Sequence, residues 1–227
     1  MKKSIGIIGC SRFGTGLINS LKKFNDIDIL AIDNNIDIIT KTATMVENAF
    51  LCDSTKEEAL REVGMQNVDE AIIAIGQTTP DGLVNTIITT IMLKRIGVEK
   101  ITVRLDNPSY ETILKTIGAT GFINPMKIAC EKIANTIAYE NIVDYFDVAG
   151  QYTIYEIKLQ PNFKPIIIKD LALRSKYDMN ILLINRNKKS ITPNAYVELE
   201  PNDEIYIFGE KSKINKIVNF FNNYVED

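Results

Sequence analysis

The sequence contains no histidine, no tryptophan and only three cysteines. The lack of histidine excludes Ser-His and Cys-His nucleophile pairs and every metal site with an imidazole ligand. The cysteines, Cys10, Cys52 and Cys130, are widely spaced with no C-x-x-C motif, which favours a reducing compartment over a disulfide framework. We interpret each of them as a small buried hydrophobic residue. The sequence predicts no metal site.

Long apolar runs and basic clusters are also absent. No run approaches the ~18 residues that a membrane-spanning helix requires, and the segment before Cys10 is too short for the apolar region of a signal peptide. Lysine and arginine number 26 against 29 aspartates and glutamates, so the net charge is −3 and no basic block is available for nucleic acid. We therefore expect a soluble cytoplasmic protein that binds no nucleic acid.

What the sequence does have is the composition of a globular protein, with 45% hydrophobic and 24% charged residues. Up to residue 124, short apolar segments alternate with amphipathic stretches, which indicates βαβ units in a parallel sheet. We predict an α/β fold, a Rossmann-like doubly wound parallel sheet with the strand order 3-2-1-4-5-6. The predicted strands are 5–8, 27–32, 49–52, 70–75, 100–105 and 121–123, and the helices between them are 13–24, 36–43, 55–63 (capped by Ser54 or Thr55), 81–96 and 109–117.

The remaining residues have a different pattern. Apolar positions at helical spacing predict one further helix over 126–145, and the periodicity changes at Ala149-Gly150. Beyond that point strands are predicted at 152–159, 181–185 and 204–208, with helices at 169–177 and 211–224, which together make a smaller α+β domain. We therefore divide the chain into a nucleotide-binding domain (1–125), a crossover helix or linker (126–148) and a second domain (149–227).

The strongest local motif is Gly9-Cys10-Ser11-Arg12-Phe13-Gly14, between the first strand and the first helix. In dinucleotide folds the glycines of this loop permit a tight turn, close helix packing and approach of the pyrophosphate to the helix N-terminus. Ser11 occupies the middle glycine position; its Cβ limits that approach, but its hydroxyl can donate to a phosphate oxygen. The alternative is a structural turn with no ligand.

Asp33 ends the second strand, where an acidic side chain accepts hydrogen bonds from ribose hydroxyls and disfavours the 2′-phosphate of NADPH. Further candidate residues follow the other strands at the same edge of the sheet, where ligands of open α/β sheets bind. They are Asn34, Asp53, Ser54, Ile75 and Gly76, together with the cations Arg12, within reach of a third phosphate, and Arg104. The alternatives are a plain helix cap for Asp53-Ser54 and solvated surface cations for Arg12 and Arg104.

Catalytic groups are missing beside this predicted nucleotide site. A dehydrogenase needs a proton donor or acceptor at the nicotinamide, usually a histidine or a Lys/Tyr pair. Neither Tyr139 nor Tyr145 is followed by a lysine in a Y-x-x-x-K frame, and the second domain is too small to enclose a substrate. We therefore predict a protein that binds a nucleotide and is not an enzyme. The alternatives are an NAD-dependent redox enzyme and a dinucleotide sensor such as a repressor.

These motifs together resemble the RCK family, the cytosolic subunits of Ktr- and Trk-type bacterial potassium transporters, whose first loop often reads G-x-G-R-F-G. The resemblance covers nearly the whole chain, as an RCK N-terminal domain followed by an RCK C-terminal (TrkA-C) domain. The residues that carry it are Ile7 to Gly14, Asp33, Asp53-Ser54, Ala74-Ile75-Gly76, Gly118-Ala119, Leu171 to Tyr177, Asn180, Ile191-Thr192-Pro193 and Asn202 to Gly209.

The resemblance implies a homodimer that assembles into an octameric ring. This ring docks on a membrane-embedded potassium-translocating subunit, so the protein would lie peripherally on the inner face of the cell membrane. ATP, ADP or NAD(H) would bind at the glycine loop as a regulatory ligand, with Arg12 at a terminal phosphate. Cyclic di-AMP would bind the C-terminal domain pair and close the transporter, at positions that correspond here to Ile168, Arg174, Asn180 and Pro193.

Two residues depart from the family pattern. Ser11 replaces the middle glycine, and Met126 stands where many relatives carry a glutamate that helps to hold a cation between nucleotide phosphates. Methionine cannot act as the hard oxygen ligand that Na⁺, Mg²⁺ or Ca²⁺ requires. We therefore do not expect that cation site here.

Overall fold

Parallel strands form the sheet of the first of two compact units, Met1–Lys127. The computed structural model describes residues 2–138 and 141–225. The strands of the first unit are β1 (Lys3–Ile8), β2 (Ile27–Asp33), β3 (Asn48–Leu51), β4 (Glu70–Ile73), β5 (Ile101–Arg104) and β6 (Gly121–Ile123). Their order in the sheet is β3-β2-β1-β4-β5-β6, so the predicted Rossmann-like topology is confirmed. The strand order reverses at β1 and β4, which places the ligand crevice of such a fold at their carboxyl ends.

Helices cover both faces of this sheet: α1 (Arg12–Leu21), α2 (Ile36–Thr42), α3 (Glu57–Glu62), α4 (Pro80–Arg95) and α5 (Glu111–Thr116). Ile8 and Ile7 of β1 lie in two different apolar clusters, one on each side of the sheet. This double burial explains why the central strands β1, β2 and β4 read as continuous apolar runs in the sequence.

The predicted cap of α3 is wrong. Lys56 is the N-cap residue and makes no side-chain capping bond. The two predicted residues are engaged elsewhere: the hydroxyl oxygen of Ser54 lies 2.7 Å from that of Thr89, and the Thr55 hydroxyl donates to Asp53.

A long helix, α6 (Pro125–Ala138), leads into the second unit, Ile128–Asp227. The strands and helices that follow are β7 (Ile142–Ala149), β8 (Tyr152–Lys158), β9 (Ile166–Ile167), α7 (Ile168–Leu171), α8 (Leu173–Tyr177), β10 (Asn180–Arg186), β11 (Lys189–Ile191), β12 (Glu198–Leu199), β13 (Glu204–Glu210) and α9 (Ile214–Asn223). The strands form an antiparallel sheet with the order β11-β10-β13-β8-β7 and a separate β9–β12 pair, and α9 packs its apolar residues into the core. The predicted α+β class of this unit is confirmed.

Two predicted helices of the second unit are wrong in their extent. The helix predicted over 126–145 ends at Ala138 within the described residues, residues 139–140 lie outside them, and 142–149 form β7 instead. The segment that starts at Ile142 is rich in β-branched and aromatic residues, and it pairs antiparallel with β8. The helix predicted over 169–177 is divided into α7 and α8 because Ala172 adopts a left-handed conformation with φ 49°.

Within the described residues, no helix combines the length and apolarity that crossing a membrane would take. The same part of the chain contains no cluster of three or more cysteine, aspartate or glutamate side chains suited to a metal ion.

Candidate functional site

The glycine loop is a rigid turn between β1 and α1. Gly9 has a φ of 92°, which favours glycine, and its N–H donates to the carbonyl of Ile32 over 2.8 Å. A Cβ atom on Gly14 would lie 1.9 Å from the Gly9 carbonyl oxygen, so α1 can pack against the loop only when this position has no side chain. The Thr15 hydroxyl donates to the Cys10 carbonyl over 2.6 Å and fixes the other side of the turn.

Asp33 connects this loop to the end of β2. Its Oδ2 accepts from the Cys10 N–H over 2.8 Å, and its Oδ1 accepts from the Asn35 N–H over 2.9 Å. An ionised carboxylate offers about four lone-pair sites, so both oxygens retain capacity to accept further hydrogen bonds. The carboxylate is therefore held in a fixed position and still able to accept from ligand hydroxyls.

A cavity of about 180 Å³ opens at the carboxyl ends of β1 to β4. Its lining includes eight of the predicted residues: Gly9, Ser11, Asp33, Asn34, Asp53, Ser54, Ile75 and Gly76. The lining residues that sequence analysis missed are Ile8, Ile32, Cys52, Thr55 and Asn85. Cys52 and Thr55 adjoin predicted positions, whereas no local motif marks Asn85 on α4.

Five predicted residues do not line this cavity. Within the loop, Cys10 and Gly14 are buried, Phe13 is half-buried, and Arg12 is exposed at the start of α1. The Arg104 guanidinium lies over the Phe13 ring, 5.7 Å from its centroid, and its Nε donates to Asp106 Oδ1 over 2.8 Å. Arg104 is thus held beside the loop and is not among the residues that line the cavity.

The charged groups that line the cavity are acidic. Asp33 and Asp53 contribute carboxylates, and no lysine or arginine is among the lining residues of the described chain. The pKa of Asp53 lies below its ordinary value although the side chain is partly buried. The largest cause is the hydrogen bond that its carboxylate accepts from the Thr55 hydroxyl. Burial, with a smaller effect of Asp33 on Cys10 and of Asp53 on Cys52, raises the pKa of each thiol to about 11. Both thiols are therefore protonated at neutral pH and unsuited to act as nucleophiles.

A second, larger pocket of about 420 Å³ lies in the second unit and is mostly apolar. All four residues that the family resemblance indicated, Ile168, Arg174, Asn180 and Pro193, line it. Two segments at this pocket are joined by backbone hydrogen bonds, from the Ile168 N–H to the Val197 carbonyl over 2.9 Å and from the Lys169 N–H to the Ala195 carbonyl over 3.0 Å.

Arg174 is exposed at this pocket, and no ion pair joins it to another described residue. A pairing with Asp170 at i and i+4 would need a continuous helix, but the left-handed Ala172 separates the two residues. At the rim, the Lys169 ammonium lies 5.5 Å from the centroid of the Tyr196 ring, which is 78% exposed. Sequence analysis did not single out either of these rim residues.

The chain resembles known families over most of its length. Residues 5–125 match the TrkA-N domain, and residues 155–222 match the TrkA-C domain. Ktr system potassium uptake protein C of Bacillus subtilis is 31% identical over 217 residues, which cover 95% of this chain and 96% of that protein. Ktr system potassium uptake protein A of the same organism is 28% identical over 218 residues, or 96% of each chain.

Solved structures agree in fold. The RCK domain of GsuK covers 100% of this chain with a TM-score of 0.63 and 14% identity, and this chain spans 49% of its length. A GsuK channel bound to NAD gives a TM-score of 0.65 at 13% identity over 100% of this chain and 40% of the channel chain. Similarity at this level of identity shows the fold and does not extend to ligands.

Proposed function

Since the chain belongs to the family that joins a TrkA-N domain to a TrkA-C domain, we propose that it is the nucleotide-binding regulatory subunit of a bacterial potassium uptake system. Its partner is a membrane-embedded potassium-translocating subunit, and the chain binds this partner peripherally from the cytoplasm without acting as an enzyme. The names of the two Bacillus subtilis relatives, both Ktr system potassium uptake proteins matched over nearly their full length, support this assignment.

The first site binds an adenine nucleotide, either ATP, ADP or NAD(H). The observation that carries this proposal is the position of Asp33, whose carboxylate joins the glycine loop to the end of β2 and still has accepting capacity. Asp33 would hold the ribose hydroxyls, while the phosphates would lie at the N-terminus of α1 beside Ser11 and Arg12. The acidic lining favours an unphosphorylated ribose, as in these three ligands and not in NADPH.

The second site binds cyclic di-AMP and inhibits transport. An apolar pocket offers surfaces for adenine, and the exposed Arg174 offers a guanidinium that can hold phosphate oxygens in two parallel hydrogen bonds. Because a cyclic dinucleotide is two-fold symmetric, two copies of the pocket in an isologous dimer would each bind one half. The open rim of the pocket is compatible with this shared arrangement.

Assembly into a homodimer, and then into an octameric ring, would begin on α6. Met126, Ile133 and Ile137 are 63%, 59% and 77% exposed, and they recur at a spacing that brings them to one side of the helix together with the exposed Cys130. Such a contiguous apolar stripe is typical of an interface. A second copy of the chain is the partner that the family relationship favours.

Regulation requires that ligands bind two states of the ring with different affinity. A ligand that binds both states equally shifts no equilibrium, however tightly it binds. ATP and ADP differ by one phosphate, and Arg12, exposed at the start of α1, is the cation nearest in sequence to the phosphate end of the site. Arg12 would contact the third phosphate, which ADP lacks, either in its own subunit or in a neighbouring one. This contact would therefore make ATP and ADP shift the two states of the ring differently.

The decisive experiment is to purify the protein, identify the nucleotides that copurify with it by mass spectrometry, and titrate the stripped protein with ATP, ADP and NADH by calorimetry. Binding of at least one of them, without turnover of NADH by small acceptors, is the expected result. A stripped protein that binds none of them would overturn the proposal, and turnover of NADH would favour a redox enzyme on the same fold.

A further inference from the structure

The base-binding end of the first cavity lies between α4 and the loop that follows β3. The hydroxyl oxygens of Ser54 and Thr89 are 2.7 Å apart, which ties this loop to α4. Asn85 lies one helical turn before Thr89 and lines the same cavity as Asp53 and Thr55. A nucleotide with its phosphates at the glycine loop and its ribose at Asp33 extends its base away from the phosphates, toward these residues.

Among the described residues of α4 and of the loop after β3 that line the cavity, every polar side chain except Asn85 has a hydrogen-bond partner within the chain. Asp53 Oδ1 accepts from the backbone N–H and from the hydroxyl of Thr55, and Asp53 Oδ2 lies 3.4 Å from the Lys56 ammonium. The Ser54 hydroxyl is paired with Thr89. The half-buried Asn85 carboxamide forms no hydrogen bond with any side chain or backbone group in the described chain.

We propose that Asn85 recognises the base and selects adenine over guanine, through N6 and N7 of the purine. This inference rests on the proposed nucleotide-binding function. A carboxamide carries one acceptor and one NH₂ donor side by side, which match the amino group and N7 of adenine. Guanine presents two acceptors, O6 and N7, on that edge, so the Asn85 carbonyl would face another carbonyl. A bidentate amide–adenine contact discriminates by roughly tenfold or more in affinity.

Calorimetric titration of the full chain with ATP, GTP and 7-deaza-ATP tests the contact. Wild type should bind ATP at least about tenfold more tightly than GTP, and 7-deaza-ATP more weakly than ATP. Asn85→Leu keeps the side-chain size and removes both polar groups; it should lower ATP affinity to that for GTP and leave GTP affinity nearly unchanged. Asn85→Asp replaces the NH₂ donor with an acceptor and should also weaken ATP binding. This second variant shows whether the loss seen in Asn85→Leu comes only from a folding defect that leucine causes.

The matched control is Asp33→Ala, which removes a contact to the ribose that ATP and GTP share and should weaken both by the same factor. If Asn85→Leu also weakened ATP and GTP equally, with an unchanged melting temperature, Asn85 would be only a general part of the wall and the inference would be wrong. Equal affinity of wild type for ATP and GTP would overturn it as well. If wild type bound no purine nucleotide, the proposed function would fail together with this inference.

Discussion

The two cavities of this chain differ in size, in polarity and in the sign of their charge. The first holds about 180 Å³, and its lining within the described chain includes the carboxylates of Asp33 and Asp53 but no lysine or arginine. The second holds about 420 Å³ and is mostly apolar, and the described residues that line it include Lys169 and Arg174 but no acidic residue. One site is therefore suited to groups that donate hydrogen bonds, such as ribose hydroxyls and an adenine amino group, and the other to phosphates flanked by apolar bases.

The cavities also differ in how much of the binding geometry is already formed. In the first, backbone hydrogen bonds and close glycine contacts within the chain itself fix the loop. In the second, the cation is an exposed side chain on α8, a helix of five residues between two left-handed positions. A ligand at the first site binds a glycine loop whose geometry is already formed. A ligand at the second site must order Arg174, and a second copy of the chain would then supply the other half of that site.

The largest expected effect is on the glycine loop between β1 and α1. Gly14→Ala places a Cβ 1.9 Å from the Gly9 carbonyl oxygen, so α1 or the loop must move. We expect a loss of stability of about 3 kcal/mol or more and no measurable nucleotide binding by calorimetry. Gly16→Ala is the matched control: apart from its chain neighbours and its own helix backbone, no atom of the described residues lies within 4 Å of the added Cβ. This variant should therefore bind nucleotide normally and gain about 0.5–1 kcal/mol. Normal binding by Gly14→Ala would show that the close contact does not shape the site.

The second-largest expected effect concerns the larger pocket, which lies in the second unit. Arg174→Ala should abolish binding of cyclic di-AMP by the full chain in calorimetry. The melting temperature should change little, because the side chain is exposed and has no ion-pair partner among the described residues. Lys176→Ala, on the same short helix but not in the pocket lining, should retain binding. Equal loss in both variants would indicate a diffuse electrostatic contact. If binding is established but saturating cyclic di-AMP leaves the rate of potassium uptake unchanged, the inhibitory role is contradicted.

Asp33→Ala should have an intermediate effect. It removes a charged hydrogen-bond acceptor, worth about 1.5–3 kcal/mol to the ligand, so ATP and ADP affinity should fall by roughly one to two decades. The variant also leaves the Cys10 N–H without its acceptor inside the loop, so a modest drop in the melting temperature is expected. Asp37→Ala, an exposed acid in the first turn of α2, is the control for charge alone. Unchanged nucleotide affinity in Asp33→Ala would remove Asp33 from the site.

The same contrast explains what the sequence could predict. In the first unit, strand segments buried on both faces are visible as local apolar runs, so the strand order follows from general rules. The glycine loop and Asp33 are likewise adjacent to strand ends. Asn85 could not be found in this way, because its position depends on how closely α4 packs, with Gly82 against the Gly76 carbonyl.

The second unit was harder to predict because its elements depend on distant partners. Ile142 continues the apolar spacing of α6, so the sequence favours one helix there, but pairing with β8 makes the segment a strand. The break at Ala172 has no sequence signal such as glycine or proline. Burial of Cys10 and Cys52 is confirmed, whereas the prediction that Cys130 is buried is wrong. That residue lies on the exposed apolar stripe of α6, the surface that we propose contacts a second copy of the chain.

The smallest expected effect separates two roles of Ser11 in the first cavity. Ser11 is the N-cap residue of α1 but makes no side-chain capping bond, so Ser11→Gly should change helix stability by only a few tenths of a kcal/mol. Its hydroxyl lines the cavity without a partner among the described residues and can donate to a phosphate. We therefore expect the glycine variant to bind ATP and ADP more weakly by about 1 kcal/mol, or roughly fivefold, in calorimetric titrations. Tighter binding of every nucleotide would instead mean that the serine Cβ crowds the phosphates. In that case the loop would hold them through its backbone N–H groups alone.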